Sequence, residues 1–345
     1  MSTSAQRPRI YALYATRNHL REFGGDMISE LATLRWMSRV ADVYYNNVLF
    51  DPASDIAGDP DRAVSNPVGR YDLVYVRGNV DVLKAANLEG CPTLFFGAPS
   101  ALTITSTTYF AAHTEGEAER IRREGVAFGA TPECLLIEQP GRDDIKPQRD
   151  SPHTEAFRFR WGSGFHAGFF GRIDAASMPD TFMGVRDVLR HQIHDLSIIF
   201  AGKVQWKFNL PDDVFQEPNY FTVSQMSYAL SACDVTIGIE QPEAEWAGSN
   251  RALDAIRSQV PILTRPYGAR VEQLGVDYPL FFSDASTLVD KLVRYRFDAG
   301  FRQETIDYLA RLGPQFRVEE IEKRNAARLC ERLAWPVPAE LSASV

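Results

Sequence analysis

Short apolar runs recur along this chain, and most are followed by a stretch with helical spacing. In the first half the runs are residues 10–15 (IYALYA), 43–45 (VYY), 73–76 (LVYV), 93–96 (TLFF) and 134–137 (CLLI). Between the first two, Ile28, Leu31, Leu34 and Met37 fall at the spacing of one helix face, which predicts a helix over 27–40. A short helix is expected around 80–86 and a charged one over 115–124. In the second half, strands are expected at 165–170, 196–201, 220–221, 234–239, 261–264 and 280–282. Helices are expected at 181–191, 224–233, 249–258, 287–297, 302–312 and 318–333. Continuous apolar strands alternating with helices indicate parallel sheets covered on both faces.

Two stretches break the alternation. Residues 51–69 are rich in Asp, Pro, Gly and Ser and read as a loop. Residues 139–164 are polar and carry Pro140, Pro147 and Pro152, which marks them as an interdomain linker. No repeat of fixed period is present. The expected class is α/β with two Rossmann-like halves: an N-terminal domain over 1–160, a C-terminal domain over 161–335, and a tail over 336–345.

Composition narrows the partners. The 345 residues are 45% hydrophobic and 24% charged, with a formal net charge of −8. An acidic balance argues against nucleic acid as a partner, because a basic stripe would be needed. Cys91, Cys134, Cys233 and Cys330 are scattered, with no CxxC pair, so they suggest reduced thiols rather than a zinc site or a disulfide framework. His191 and His194, three residues apart, make a poor metal motif. No apolar run approaches the ~20 residues that span a bilayer, and the first ten residues lack the apolar core of a signal peptide. The expected location is the cytoplasm, with peripheral membrane contact left open.

The chemistry concentrates in residues 240–264. A strand ends in an acidic loop containing Glu243 and Glu245. A helix follows whose N-cap is Ser249, and then a buried strand. A helix N-terminus at the carboxyl end of a parallel strand offers free amides and a positive dipole end to an anion. Asn250 and Asp254 are four apart and share one helix face.

Several segments, in order, resemble retaining glycosyltransferases of the two-domain GT-B type (glycosyltransferase group 1, family 4-like). Phe23-Gly24-Gly25-Asp26 before a helix looks like the glycine loop after the first strand. Thr131-Pro132-Glu133 through Arg142-Asp143, then Lys146-Pro147, is similar to the segment that ends the N-terminal domain. Gly168-Phe169-Phe170-Gly171-Arg172 looks like the glycine–arginine strand end that opens the C-terminal domain. Residues 228–235 (YALSACDV) resemble the turn before the donor loop. Asn250-Arg251-Ala252-Leu253-Asp254, followed by Val260-Pro261-Ile262, resembles the donor-binding helix and its next strand. The resemblance implies two Rossmann-like domains facing across a cleft, and transfer of a sugar from a UDP-, GDP- or TDP-sugar to a sugar, lipid-linked or small-molecule acceptor. It implies retention, with no metal and no cofactor.

In that reading Arg172 meets the leaving diphosphate, Glu245 or Glu243 holds sugar hydroxyls, and His113 contacts the donor sugar or the acceptor. Gly24, Gly25, Lys203, Ser249, Asn250 and Arg251 hold the donor, and Asp254 takes the ribose hydroxyls. The chain departs from the pattern in three places. The lysine that usually follows the arginine by about five residues is missing, which leaves Lys203 or Arg251 to replace it. The glutamate expected eight positions before Asp254 is Trp246, with Glu245 one further back. Gln259 stands where glycine is common. Two other readings remain: a sugar-nucleotide epimerase, and a catalytically degenerate nucleotide-binding or scaffolding protein.

Overall fold

The computed structural model describes residues 7–14, 25–45, 71–77, 90–142, 145–171, 180–202, 214–217, 223–238 and 249–342. The chain divides into two compact units: residues 1–140 with 319–345, and residues 141–318.

Unit 1 carries β1 (Arg9–Tyr14), α1 (Gly25–Val40), β2 (Asp42–Tyr45), β3 (Leu73–Arg77) and β4 (Thr93–Phe96). Then come α2 (Ala101–Ser106), β5 (Tyr109–Ala112), α3 (Glu115–Val126) and β6 (Cys134–Leu136). The six strands form one parallel sheet in the order β2-β1-β3-β4-β5-β6. Side chains alternate across it as the pleat requires. Ile10, Ala12, Leu73 and Tyr75 face one core with Trp36 and Met37 of α1. Tyr11, Leu13, Val74 and Val76 face the other with Ala118 and Ile121 of α3. The register Ile10↔Leu73 places like-facing residues side by side.

Unit 2 carries α4 (Pro152–Trp161), β7 (Phe165–Phe170), α5 (Asp180–Gln192), β8 (Leu196–Ala201), β9 (Val214–Glu217), α6 (Val223–Ala232) and β10 (Val235–Gly238). It continues with α7 (Asn250–Ser258), β11 (Ile262–Thr264), α8 (Gly268–Leu274), α9 (Ala285–Phe297) and α10 (Ala299–Leu312). Its parallel sheet has the order β11-β10-β7-β8-β9. The chain builds outward from β7 through β8 to β9, then returns to lay β10 on the other side of β7. Phe165, Phe169 and Phe200 face one core, and Phe170, Ile199 and Ala201 face another with Trp161, Ala229 and Leu230.

The chain then re-enters unit 1 as α11 (Val318–Leu333) and α12 (Ala339–Ser342). Ala326, Leu329 and Cys330 join the core against β1 and β3. Ion pairs fix the helix. Glu322, 0% exposed, meets Arg35 at 2.7 Å and Arg39 at 3.0 Å on α1. Glu138 accepts two hydrogen bonds from Arg324, at 2.8 and 2.6 Å, and one from Arg328 at 2.7 Å. Asn325, 0% exposed, brackets the Glu138 backbone, accepting from its amide at 2.8 Å and donating to its carbonyl at 2.7 Å.

These facts correct the expected domain limits. The division falls at 140/141 rather than 160/161, because residues 152–161 form α4 and pack against α6. Thr154 Oγ1 donates to the Tyr228 carbonyl at 3.4 Å, and Trp161 is fully buried in the unit 2 core. The C-terminal helix belongs to unit 1 because its partners, Glu322's arginines and Glu138, lie there. The predicted strand at 280–282 reduces to a single bridge, Thr264↔Phe281. The predicted helix at 80–86 and strand at 220–221 fall outside the described residues. No described helix is long and apolar enough to cross a membrane.

Burial raises the Glu138 pKa, but the hydrogen bonds and charges of Arg324 and Arg328 outweigh it and hold the carboxyl below its ordinary value. A lowered folded pKa means stability that is complete above the unfolded carboxylate range, about pH 4.3, and is lost as pH falls through the folded value. Glu138→Gln is expected to remove about 1.5–3 kcal/mol at pH 7. It should also flatten the acid limb of unit 1 unfolding, followed by circular dichroism from pH 7 to pH 3; an unchanged acid limb would show that the pair contributes nothing.

Candidate functional site

In an open parallel sheet the crevice lies outside the carboxyl ends of the strands, where neighbouring loops leave for opposite faces. In unit 2 that point is between β7 and β10. Gly171 follows β7 with φ 108°, and Gly202 follows β8 with φ 143°, both in a region open to glycine. The two backbones meet closely: Gly171 N donates to Ala201 O at 2.9 Å, and a Cβ on Gly202 would overlap the Gly171 carbonyl. The amino end of α7 sits at the same edge. A Cβ on Gly171 would lie 3.2 Å from Nη2 of Arg251, so this guanidinium rests against the β7 terminus.

The amino end of α7 is capped. Ser249 Oγ accepts from the Ala252 amide at 3.3 Å. The Ser249 amide donates to Gln273 Oε1 of α8 at 3.1 Å, which fixes the entry to the helix. Asn250 and Asp254 share a face, and Asp254 is buried, 8% exposed. Arg257, one turn further, donates through Nε to Phe316 O and through Nη1 to Arg142 O, both at 2.9 Å. Gln259 ends the helix at φ 54°. Its backbone adopts the left-handed geometry that explains why glycine is common at this position.

A second cation organises the neighbouring strand ends. Arg270 of α8, 4% exposed, donates through Nη1 to the Gly238 carbonyl at 3.3 Å and to Thr264 Oγ1 at 2.5 Å. It thereby joins the carboxyl ends of β10 and β11.

Unit 1 presents its own carboxyl edge. His113 follows β5, and Thr114 caps α3 behind it. The imidazole Nδ1 lies 2.8 Å from the Ile137 carbonyl, and the His113 amide donates to Glu117 Oε2 at 2.6 Å. Its ring packs on Phe96, the last residue of β4, with centroids 4.4 Å apart. Burial, and then the nearby Arg77 guanidinium, lower the His113 pKa to about 4. The ring is therefore neutral at pH 7. With Nδ1–H given to a carbonyl, Nε2 carries the lone pair and accepts.

No protein-family model matches the sequence, and no curated protein sequence matches it. Solved structures do. The Anabaena protein Alr3699/HepE in complex with UDP and glucose aligns over 94% of this chain and 100% of its own, at 15% identity and a TM-score of 0.68. The same protein with UDP-glucose gives 94% and 99%, 14% and 0.67. The Escherichia coli trehalose-6-phosphate structure bound with UDP-2-fluoro glucose gives 97% and 99%, 9% and 0.63. The chain has the GT-B fold.

Within the GT-B fold the expected site residues separate into groups. Ser249, Asn250, Arg251 and Asp254 stand together on α7 in unit 2. His113 stands in unit 1, and Gly25 opens α1. Gly24, Arg172, Lys203, Glu243 and Glu245 lie outside the described residues. Sequence reading missed Arg270, Gln273 and Arg77, none of which belongs to a motif and all of which act through tertiary contacts. Among the described residues, no three His, Cys, Asp or Glu are grouped as metal ligands are.

The glycine pair gives a test with opposite signs. Gly202→Ala must separate the β7 and β8 termini and is expected to destabilise unit 2 by about 1–3 kcal/mol. Gly184, exposed on α5 with open space around its Cα, should gain up to about 1 kcal/mol on conversion to alanine. Parallel thermal melts of the two variants compare the signs directly.

Proposed function

We propose that this protein is a glycosyltransferase that moves a sugar from a nucleotide-sugar donor to a hydroxyl-bearing acceptor, with retention and without a metal ion. The observation that carries this reading is the Arg251 guanidinium against Gly171, at the switch point of unit 2 and the amino end of α7. A fixed cation, helix-end amides and a buried carboxylate three residues on make a site for a nucleoside diphosphate. Support comes from the ligands of the similar structures: UDP-glucose, or UDP and glucose, in the Anabaena protein, and glucose-6-phosphate in a UDP-forming trehalose-phosphate synthase of Burkholderia xenovorans.

Each residue then has a task. Arg172, Lys203 and Arg251 receive the charge that grows on the diphosphate as the glycosidic bond breaks. Lys203 or Arg251 takes the role of the missing lysine. Asp254 accepts hydrogen bonds from the ribose hydroxyls, and Glu243 or Glu245 from the sugar. Gly24 and Gly25 let backbone approach the phosphates. His113 accepts from a substrate hydroxyl. Unit 2 takes the donor and unit 1 the acceptor. The acceptor oxygen attacks the anomeric carbon on the face the phosphate leaves, and a leaving phosphate oxygen takes its proton.

Thermal shifts over UDP-, GDP-, ADP- and TDP-sugars identify the donor. Stabilisation by one of them, followed by product of unchanged anomeric configuration and a rate insensitive to chelator, is the expected result. Sugar-nucleotide isomers formed without acceptor would establish the epimerase instead, and binding with no turnover a degenerate enzyme. Arg172→Ala and Arg251→Ala are each expected to lower transfer by about 2–4 kcal/mol in transition-state stabilisation. Unchanged turnover in either removes that residue from the mechanism.

A further inference from the structure

Behind His113 lies a buried charge cluster that the proposed reaction leaves without a task. Arg77, the last residue of β3, is 8% exposed, and its Nη1 lies 3.4 Å from Glu30 Oε2 on α1. Glu30 is 3% exposed and also accepts from the Tyr75 hydroxyl at 3.0 Å. A buried ion pair is weak grounds for stability, because desolvating both charges offsets most of their attraction. Position gives this one a purpose. The Arg77 guanidinium lies 4.6 Å above the Phe96 ring, and Phe96 packs on His113. The three groups meet in series along the carboxyl ends of β3, β4 and β5, with the Phe96 and His113 rings tilted by 42°, and β3 is the strand next to the switch point of unit 1.

We propose that Arg77, braced by Glu30 and layered on Phe96, is the positioning residue of His113 and makes its Nε2 an acceptor for a substrate hydroxyl. The proposal rests on the reading that His113 meets the substrate. Three observations support it. The Ile137 carbonyl holds Nδ1–H, so the ring cannot turn over without breaking that bond. Phe96 fixes the ring plane from one side. Arg77 from β3 is the charge that acts on the imidazole, while Glu30 from α1 faces Arg77 and Glu117 from α3 faces the His113 backbone. Glu117 accepts from the His113 amide and lies 4.0 Å from Arg120. Burial is the larger force against an imidazolium, and the Arg77 charge adds to it. A neutral acceptor at this point favours a hydroxyl and disfavours an anionic group.

The test uses full-length protein and two opposed substitutions. Arg77→Met removes the cation, and Glu30→Gln removes the negative charge that faces it. The His113 imidazole is followed by NMR on histidine-labelled protein, its signal assigned by loss in His113→Ala. The expected result is an upward shift of the His113 titration by about one unit or more in Arg77→Met, and none or a downward one in Glu30→Gln. Arg77→Lys should stay near the native value. Shifts of the same sign in both variants would reflect loosened packing alone and overturn the proposal, as would no shift in Arg77→Met. UDP release from UDP-glucose between pH 5 and pH 8 gives the second readout: Arg77→Met should lose activity at the acid end while the native enzyme does not. If His113→Ala leaves this release unchanged, the substrate contact fails; the titration shifts still decide whether Arg77 sets the state of the ring.

Discussion

A parallel sheet that reverses its direction of growth must leave a gap at the carboxyl end of its first strands, because the loops on either side depart to opposite faces. Both units of this protein contain that gap, and their polar groups of interest gather around it. In unit 2 it is bounded by Gly171, Gly202, Gly238 and the amino end of α7. In unit 1 it adjoins Arg77 at the end of β3. The central strands are mostly apolar and buried, so they supply rigidity. The polar groups that matter stand at the strand ends and in the residues that follow them.

At these edges the protein repeatedly places a guanidinium against backbone or a ring. Arg270 joins two strand ends through Gly238 and Thr264. Arg251 lies on Gly171. Arg77 lies on Phe96. A planar, permanently charged group suits this role, since it keeps its charge when buried and donates in several directions at once. The same device fastens α11, where Arg324 and Arg328 converge on Glu138, and Arg35 and Arg39 on Glu322. These last pairs are between neighbouring elements rather than toward a ligand, and they account for the return of the chain's final helix to unit 1.

Much of the fold was legible in the residue pattern. The alternation of apolar runs with helical spacing located β1, β3, β4, β7, β8, β10 and β11, and the capping serine at 249 located α7. Misses have identifiable causes. Pro152 marked residues 139–164 as linker, yet it stands at the first helical position of α4, where its missing amide carries no penalty. The helix α2 is six residues long and held by a Ser100–Thr103 capping box, too short for periodicity to register. The strand β5 was hidden among polar threonines, although its four residues are in the sheet.

The sequence by itself determined the two α/β halves, the order of the elements it located, the helix N-terminus at Ser249 and the grouping of Asn250, Arg251 and Asp254 on it. These follow from local rules: the two-residue period of a strand, the 3.6-residue period of a helix, and the demand of the first helical amides for a cap. Only the tertiary structure decided which unit receives the C-terminal helix, that Arg251 reaches the end of β7 eighty residues earlier in the chain, and that Arg77, Phe96 and His113 meet at one edge. Those relations depend on strand order and on the burial of charge, and both are set by packing between segments far apart in sequence.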